Sequence, residues 1–183
     1  MVWSNHVGFK MTQPTPEMVA FFELRTAEHI ERVRRCLKAM AAVTEYSDEL
    51  MERARHHDAS KYGPEERVPY IWLTESHRCR QAGIPFVYPT GMDERVRVAI
   101  EHHMKTNRHH PDFHADPNCM TDVDVIEMVC DWTAMSQELG QDGGSARGWA
   151  DKTIGTRLRF NDERCQFLYA MIDLLDFQLS QDR

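Results

Sequence analysis

Residues 55–66 read RHHDASKYGPEE. Two histidines and an aspartate stand side by side at 56–58, Lys61 follows three residues after Asp58, and Gly63-Pro64 closes the run. Just upstream, Ser47-Asp48-Glu49 has the form of a helix start. Carried forward at helical spacing, the stripe Leu50, Ala54, His57/Asp58 and Lys61 predicts a helix that ends at Gly63-Pro64. A polar His-Asp pair on an inward stripe is costly unless it finds partners or binds something.

Working outward, the flanking segments have the same period. Thr15-Pro16-Glu17 is a hydroxyl cap, a first-turn proline and an acid. Behind it Phe22, Thr26, His29/Ile30, Val33, Leu37 and Met40 predict a first helix reaching about Tyr46. EERVPYIWLTE, 65–75, predicts a short helix broken by Pro69, and QAGIPFVYPTGMD, 81–93, a loop. Asp93 is expected to cap a helix from Glu94 to about Lys105, with Val96, Ala99, Ile100 and His103 inward. TNRHHPDFHADPNC is irregular by its Asn and Pro content. Thr121 with Asp124 forms the pattern of a capping box opening a helix that Gly140 stops at Leu139. Residues 140–160 are expected to be a glycine-rich loop. Asn161 or Asp162 then caps a last helix, 161–180, carrying Phe167, Leu168, Met171, Leu174, Leu175 and Phe177. No alternating strand pattern competes; IPFVYP is bounded by prolines. The fold class is all-α, five or more helices around one core, in one domain with residues 1–14 as an N-terminal extension.

The bulk composition narrows the function. With 183 residues, 42% hydrophobic and 28% charged, the chain can bury a core without disulfides. A formal charge of -7 argues against a general nucleic-acid-binding surface. The five cysteines include no CxxC pair, which points to reduced thiols and a cytoplasmic setting. The N-terminal stretch lacks the apolar core of a signal peptide, and no apolar run approaches membrane-spanning length.

Histidine is the outlying residue: there are ten. His29 sits on the edge of the first stripe, His57 and Asp58 on the second, and His102 and His103 on the third helix. His109 and His110 follow in the irregular segment, and Asp131 interrupts the apolar run VIEMVCDWTAM. Taken singly, His29 reads as a core-edge histidine, Lys61 as a solvated lysine and each doublet as surface polarity. Taken together, imidazoles and carboxylates converging from several segments are what a divalent transition metal binds.

The order His29, His57-Asp58, Asp131 resembles the HD-domain superfamily of metal-dependent phosphohydrolases. The segments HHDASKYGPE, AIEHHMKTNRHHPDFH and VIEMVCDWTAMS resemble small HD-like proteins of bacteria and phages. The added histidines are similar to those of the dinuclear branch, which holds the HD-GYP and cyclic-nucleotide phosphodiesterases and the di-iron inositol oxygenases. The resemblance implies an HD-like helical bundle with His29, His57, Asp58 and Asp131 on one ion. Asp58 would bridge to a second ion completed by His103, His109 and His110. Lys61 would meet the substrate, and His102 would support a ligand or move a proton. It implies one or two ions of Fe, Mn, Co, Ni or Zn, with Mg a further candidate. The expected reaction is hydrolysis of a phosphomonoester or phosphodiester, a nucleotide among them, by a metal-activated water. A di-iron oxygenase on the same scaffold and a non-catalytic metal-binding helical protein are the alternatives. A homodimer is the assembly the resemblance adds. Glu127, one turn before Asp131, reads equally as a ligand's support or as a solvated acid. Arg147 in the glycine-rich segment reads as a phosphate contact or as part of a plain connector.

Overall fold

The structure is a computed structural model describing residues 13–181. These residues form seven α-helices: α1 (Pro16–Ala41), α2 (Ser47–His56), α3 (Arg67–Gln81), α4 (Met92–Thr106), α5 (Asp122–Leu139), α6 (Arg147–Thr153) and α7 (Asp162–Gln181). Among the described residues there is no β-strand, only an isolated bridge between Ile154 and Leu158. The all-α class follows directly. His6 and most of the expected N-terminal extension lie outside the described residues.

Long α1 runs through two apolar clusters. Its first half gives Met18 and Phe22 to a smaller cluster with Ile71 and Trp72 of α3 and Met92 and Val96 of α4. Its second half gives Val33, Cys36, Leu37 and Met40 to the main core, with α2, α5, α6 and α7. His29 falls between the two halves. Helix α5 is the central element: Val125 through Cys130 are all buried. A helix apolar nearly all round must be surrounded, so Glu127 inside that run and Asp131 just after it have to be satisfied inside the bundle or at its seam.

Several local expectations hold. Thr15 Oγ1 accepts from the Met18 amide. The α5 capping box forms in both directions, and Gly140 closes the helix in the left-handed region at φ 61°. Asn161 Oδ1 accepts from the Arg164 amide, so Asn161 is the cap of α7.

Others are corrected. Helix α2 does not continue to Gly63 but stops at His56, with Ala59–Tyr62 forming a separate 3-10 turn. Pro69 does not break a helix. It lies in the first turn of α3, where an amide has no helical acceptor, so its missing N–H costs nothing. Gly91, not Asp93, precedes α4, and Asp93 sits in its first turn. Residues 140–160 are not simply a loop, because α6 forms there and buries Ala146 and Ala150. Helix α1 ends at Ala41, and Phe177 faces outward at 59% exposure. The five cysteines are unpaired, and no described helix is long and apolar enough to cross a membrane.

Candidate metal centre

The break after α2 builds the site. His57 adopts an extended conformation, φ −48° and ψ 126°, and Asp58 is left-handed at φ 58°. On a continuous helix, neighbouring side chains diverge by about 100°. The break removes that divergence and turns both toward one point. Left-handed backbone costs a non-glycine residue on the order of 1 kcal/mol, least for Asp and Asn. Strain of this kind clusters where the structure over-determines a functional position.

Three side chains, His29, His57 and Asp131, meet on one side of Asp58. His29 Nε2 lies 3.0 Å from Asp131 Oδ1 and 3.5 Å from Asp58 Oδ2. His57 Nε2 lies 3.6 Å from Asp131 Oδ1 and 3.7 Å from Asp58 Oδ2. The other Asp58 oxygen looks the opposite way: Oδ1 is 3.3 Å from His103 Nε2 and 3.7 Å from His109 Nε2. His110 packs beside these, edge-on to His103 and tilted against His109, with ring centroids 4.9 Å and 4.3 Å away. Ligands about 2.1 Å from one cation stand about 3.0 Å apart on an octahedral edge and about 3.4 Å on a tetrahedral one. The observed spacings, 3.0–3.7 Å, run from the octahedral edge to slightly beyond the tetrahedral one, so a small inward shift of the donors would close them on an ion. His29, His57, Asp58 and Asp131 form one set able to hold an ion, and His103, His109 and His110 a second.

The donors are free for that task. His29 Nε2, His57 Nε2, His109 Nε2, His110 Nε2 and Asp58 Oδ1 are buried with no hydrogen-bond partner. Each orphaned group costs desolvation energy. Their convergence on two points is what a pair of cations would relieve, so the residues fit the metal that the sequence implies.

The opposite ring nitrogens of His57, His103 and His109 are held. Glu127 Oε1 is 2.9 Å from His57 Nδ1 and 3.4 Å from His109 Nδ1, so one carboxylate orients a histidine of each set. Glu127 Oε2 accepts from Arg53 Nη1 at 2.9 Å. Glu66 Oε2 is 2.8 Å from His103 Nδ1, and its Oε1 is 2.8 Å from His102 Nδ1. Carboxylates behind ligating histidines fix the tautomer that leaves Nε2 for the metal. His102 therefore stands on the outer side of Glu66, with 38% of its side chain exposed, and not against the Asp58 oxygens.

Charge in the centre follows from the same contacts. Burial opposes a charge on His57, yet Asp58, Asp131 and Glu127 outweigh it and lift its pKa to about 10. Burial would raise Glu127, but His109 and His57 hold it at about 2. Burial, with His109 next, pushes His110 down to about 3. Lys61 and His57 keep the buried Asp58 carboxyl well below its usual range. The acids draw positive charge, and Lys61 Nζ, 2.5 Å from Asp58 Oδ2, supplies one unit of it.

Beside His29 and Lys61 opens a chamber of about 170 Å³, also lined by Tyr70, Thr74 and His77. The Lys61 ammonium and the Glu138 carboxylate both line it, next to the first ligand set.

The model of DUF5662, described as a family of unknown function, matches residues 18–174. The chain belongs to the DUF5662 family. No curated protein and no solved structure matches it. The matched span contains every residue of the centre in this DUF5662 member. His29, His57, Asp58, Asp131, His103, His109 and His110, each singled out by residue type and position, come together here. Lys61 lies at the first set. Arg147 does not: it pairs with Asp173 and stands over the Tyr169 ring. Spacing gave no notice of Glu66, Arg53, Tyr70 or His77. Glu66 is wholly buried, yet in sequence it is one more acid after Gly63-Pro64. Glu127 carried a weak signal, an acid one helical turn before Asp131.

Proposed function

We propose that this DUF5662 member is an HD-like, metal-dependent phosphohydrolase acting on a small phosphoester with two divalent cations. One observation carries the reading: the two oxygens of the buried Asp58 face two different histidine sets, with Lys61 on the chamber side. His29, His57, Asp58 and Asp131 would hold one ion, and Asp58, His103, His109 and His110 the other. Bound there, the ions would supply an acidified water and neutralise charge at a phosphoryl group.

The chain's own part is preorganisation. Glu127 keeps the rings of His57 and His109, and Glu66 that of His103, in one tautomer. Lys61, a three-donor cation at the chamber wall, is placed to hold a phosphoryl oxygen and to balance charge that grows in the transition state. Burial of the centre under α1, α3 and α5 excludes bulk water, which strengthens these interactions.

The test is elemental analysis of protein purified without chelator, followed by phosphate release from a panel of phosphoesters with Mn, Co or Mg. Two ions per chain and turnover that vanishes in Asp58→Ala are expected. Tightly held iron with a mixed-valence signal and no phosphate release would instead favour an oxygenase. Unfolding on chelation with no product from any substrate would mark a metal-stabilised binding protein.

A further inference from the structure

The chamber beside the first ligand set, at about 170 Å³, is smaller than the roughly 300–1,000 Å³ of sites that enclose a whole organic ligand. A phosphoryl group fits it; two organic arms of a diester do not. A second space of about 470 Å³ shares Arg25, Thr74, His77 and Met135 with it, so the two adjoin. This outer groove runs between α1, α3 and the segment after α5. Its walls combine three chemistries. Phe21, Leu139 and Trp149 give apolar and aromatic surface. Gln81 and Gln141 bring amides, and Arg80 a guanidinium, on exposed side chains. The indole Nε1 of Trp149 is buried without a partner.

That combination matches a heteroaromatic base. Rings and guanidinium planes stack on a base face, and amides pair with its polar edge. Resting on the phosphohydrolase reading, we propose that the outer groove receives the nucleoside part of a nucleoside monophosphate whose phosphoryl group reaches the centre through the inner chamber. Phe21 and Phe22 then have separate duties. Phe22 is buried in the smaller core, whereas Phe21 borders the groove under Arg78, whose Cζ lies 5.3 Å from its ring centroid. The glycine-rich segment contributes to the same wall through Gln141 and Trp149.

Equilibrium dialysis of the full, manganese-loaded chain against adenosine monophosphate and glycerol phosphate, each as its non-hydrolysable phosphonate, and against adenosine and inorganic phosphate tests this. Adenosine monophosphate should bind about tenfold tighter than glycerol phosphate, the scale of one stacked base. The double variant R80A/Q141A should remove most of that advantage and change inorganic phosphate little. Trp149→Phe, which keeps an aromatic ring but removes the indole N–H and part of the flat surface, is a milder check should the double variant misfold. Equal binding of the two esters, or an advantage that survives in all variants, would overturn the proposal. Adenosine is the separating arm. If it binds and is lost in the double variant while no phosphate binds or is released, the groove assignment stands and the phosphohydrolase reading falls.

Discussion

Glu127→Gln changes one atom in a side chain that touches neither proposed ion, yet it should weaken both. Glu127 faces Nδ1 of His57 and of His109 with one oxygen and Arg53 with the other. Arg53 is always protonated and can only donate. It is also held by Asp124, 2.7 Å from Nη2, so it cannot swing away. The new amide must give its oxygen to Arg53 and turn its NH₂ toward the imidazoles. Nδ1 then has to accept, which moves the ring proton to Nε2, the atom that faces the ligand sets. Loss of such a partner behind a ligating histidine costs about 10–100-fold in metal affinity. That is about 1.4–2.7 kcal/mol per ion. Competition titration against a chromophoric chelator, with circular dichroism as the fold control, reads both sites. An affinity drop at one site only would remove the shared-carboxylate role. Unchanged affinity at both would refute the tautomer reasoning altogether.

Asp131→Asn should strip the first ion and leave the second, while Asp58→Asn, isosteric and equally tolerant of left-handed backbone, should lower occupancy of both; elemental analysis of each variant decides, and equal losses would refute the bridge. Metal affinity should rise with pH. In the metal-free centre His57 is lifted to about 10, so a cation must displace its proton throughout the neutral range, giving about tenfold per pH unit for each proton released; a flat profile from pH 6 to 8 would count against His57 as a ligand. Thr121→Ala removes the side chain that accepts from the Asp124 amide at 3.2 Å and should cost about 1 kcal/mol. Thermal unfolding should fall by about 2–4 °C, and no shift would show that the reciprocal bond from Asp124 to the Thr121 amide suffices alone.

The period of apolar residues, the Thr15 and Thr121 caps and the Gly140 stop were enough to determine an all-α chain, the start of α1 and both ends of α5. Those signals are local: a cap or stripe acts within a turn or two of its own backbone. The ligand candidates were legible too, because buried-position histidines and acids are rare enough to stand out by type. What remained hidden depends on contacts across the bundle. The break at His57-Asp58 has no glycine or proline to announce it, and a helical stripe fits those residues equally well. It is fixed by the partners Asp58 meets from α1, α4 and the 3-10 turn. Glu66 and Glu127 became supports only because α3 and α5 bring them behind histidines 37 and 70 residues away. Residue type set which atoms can bind a cation; the packing of distant helices decided which oxygen of Asp58 faces which set.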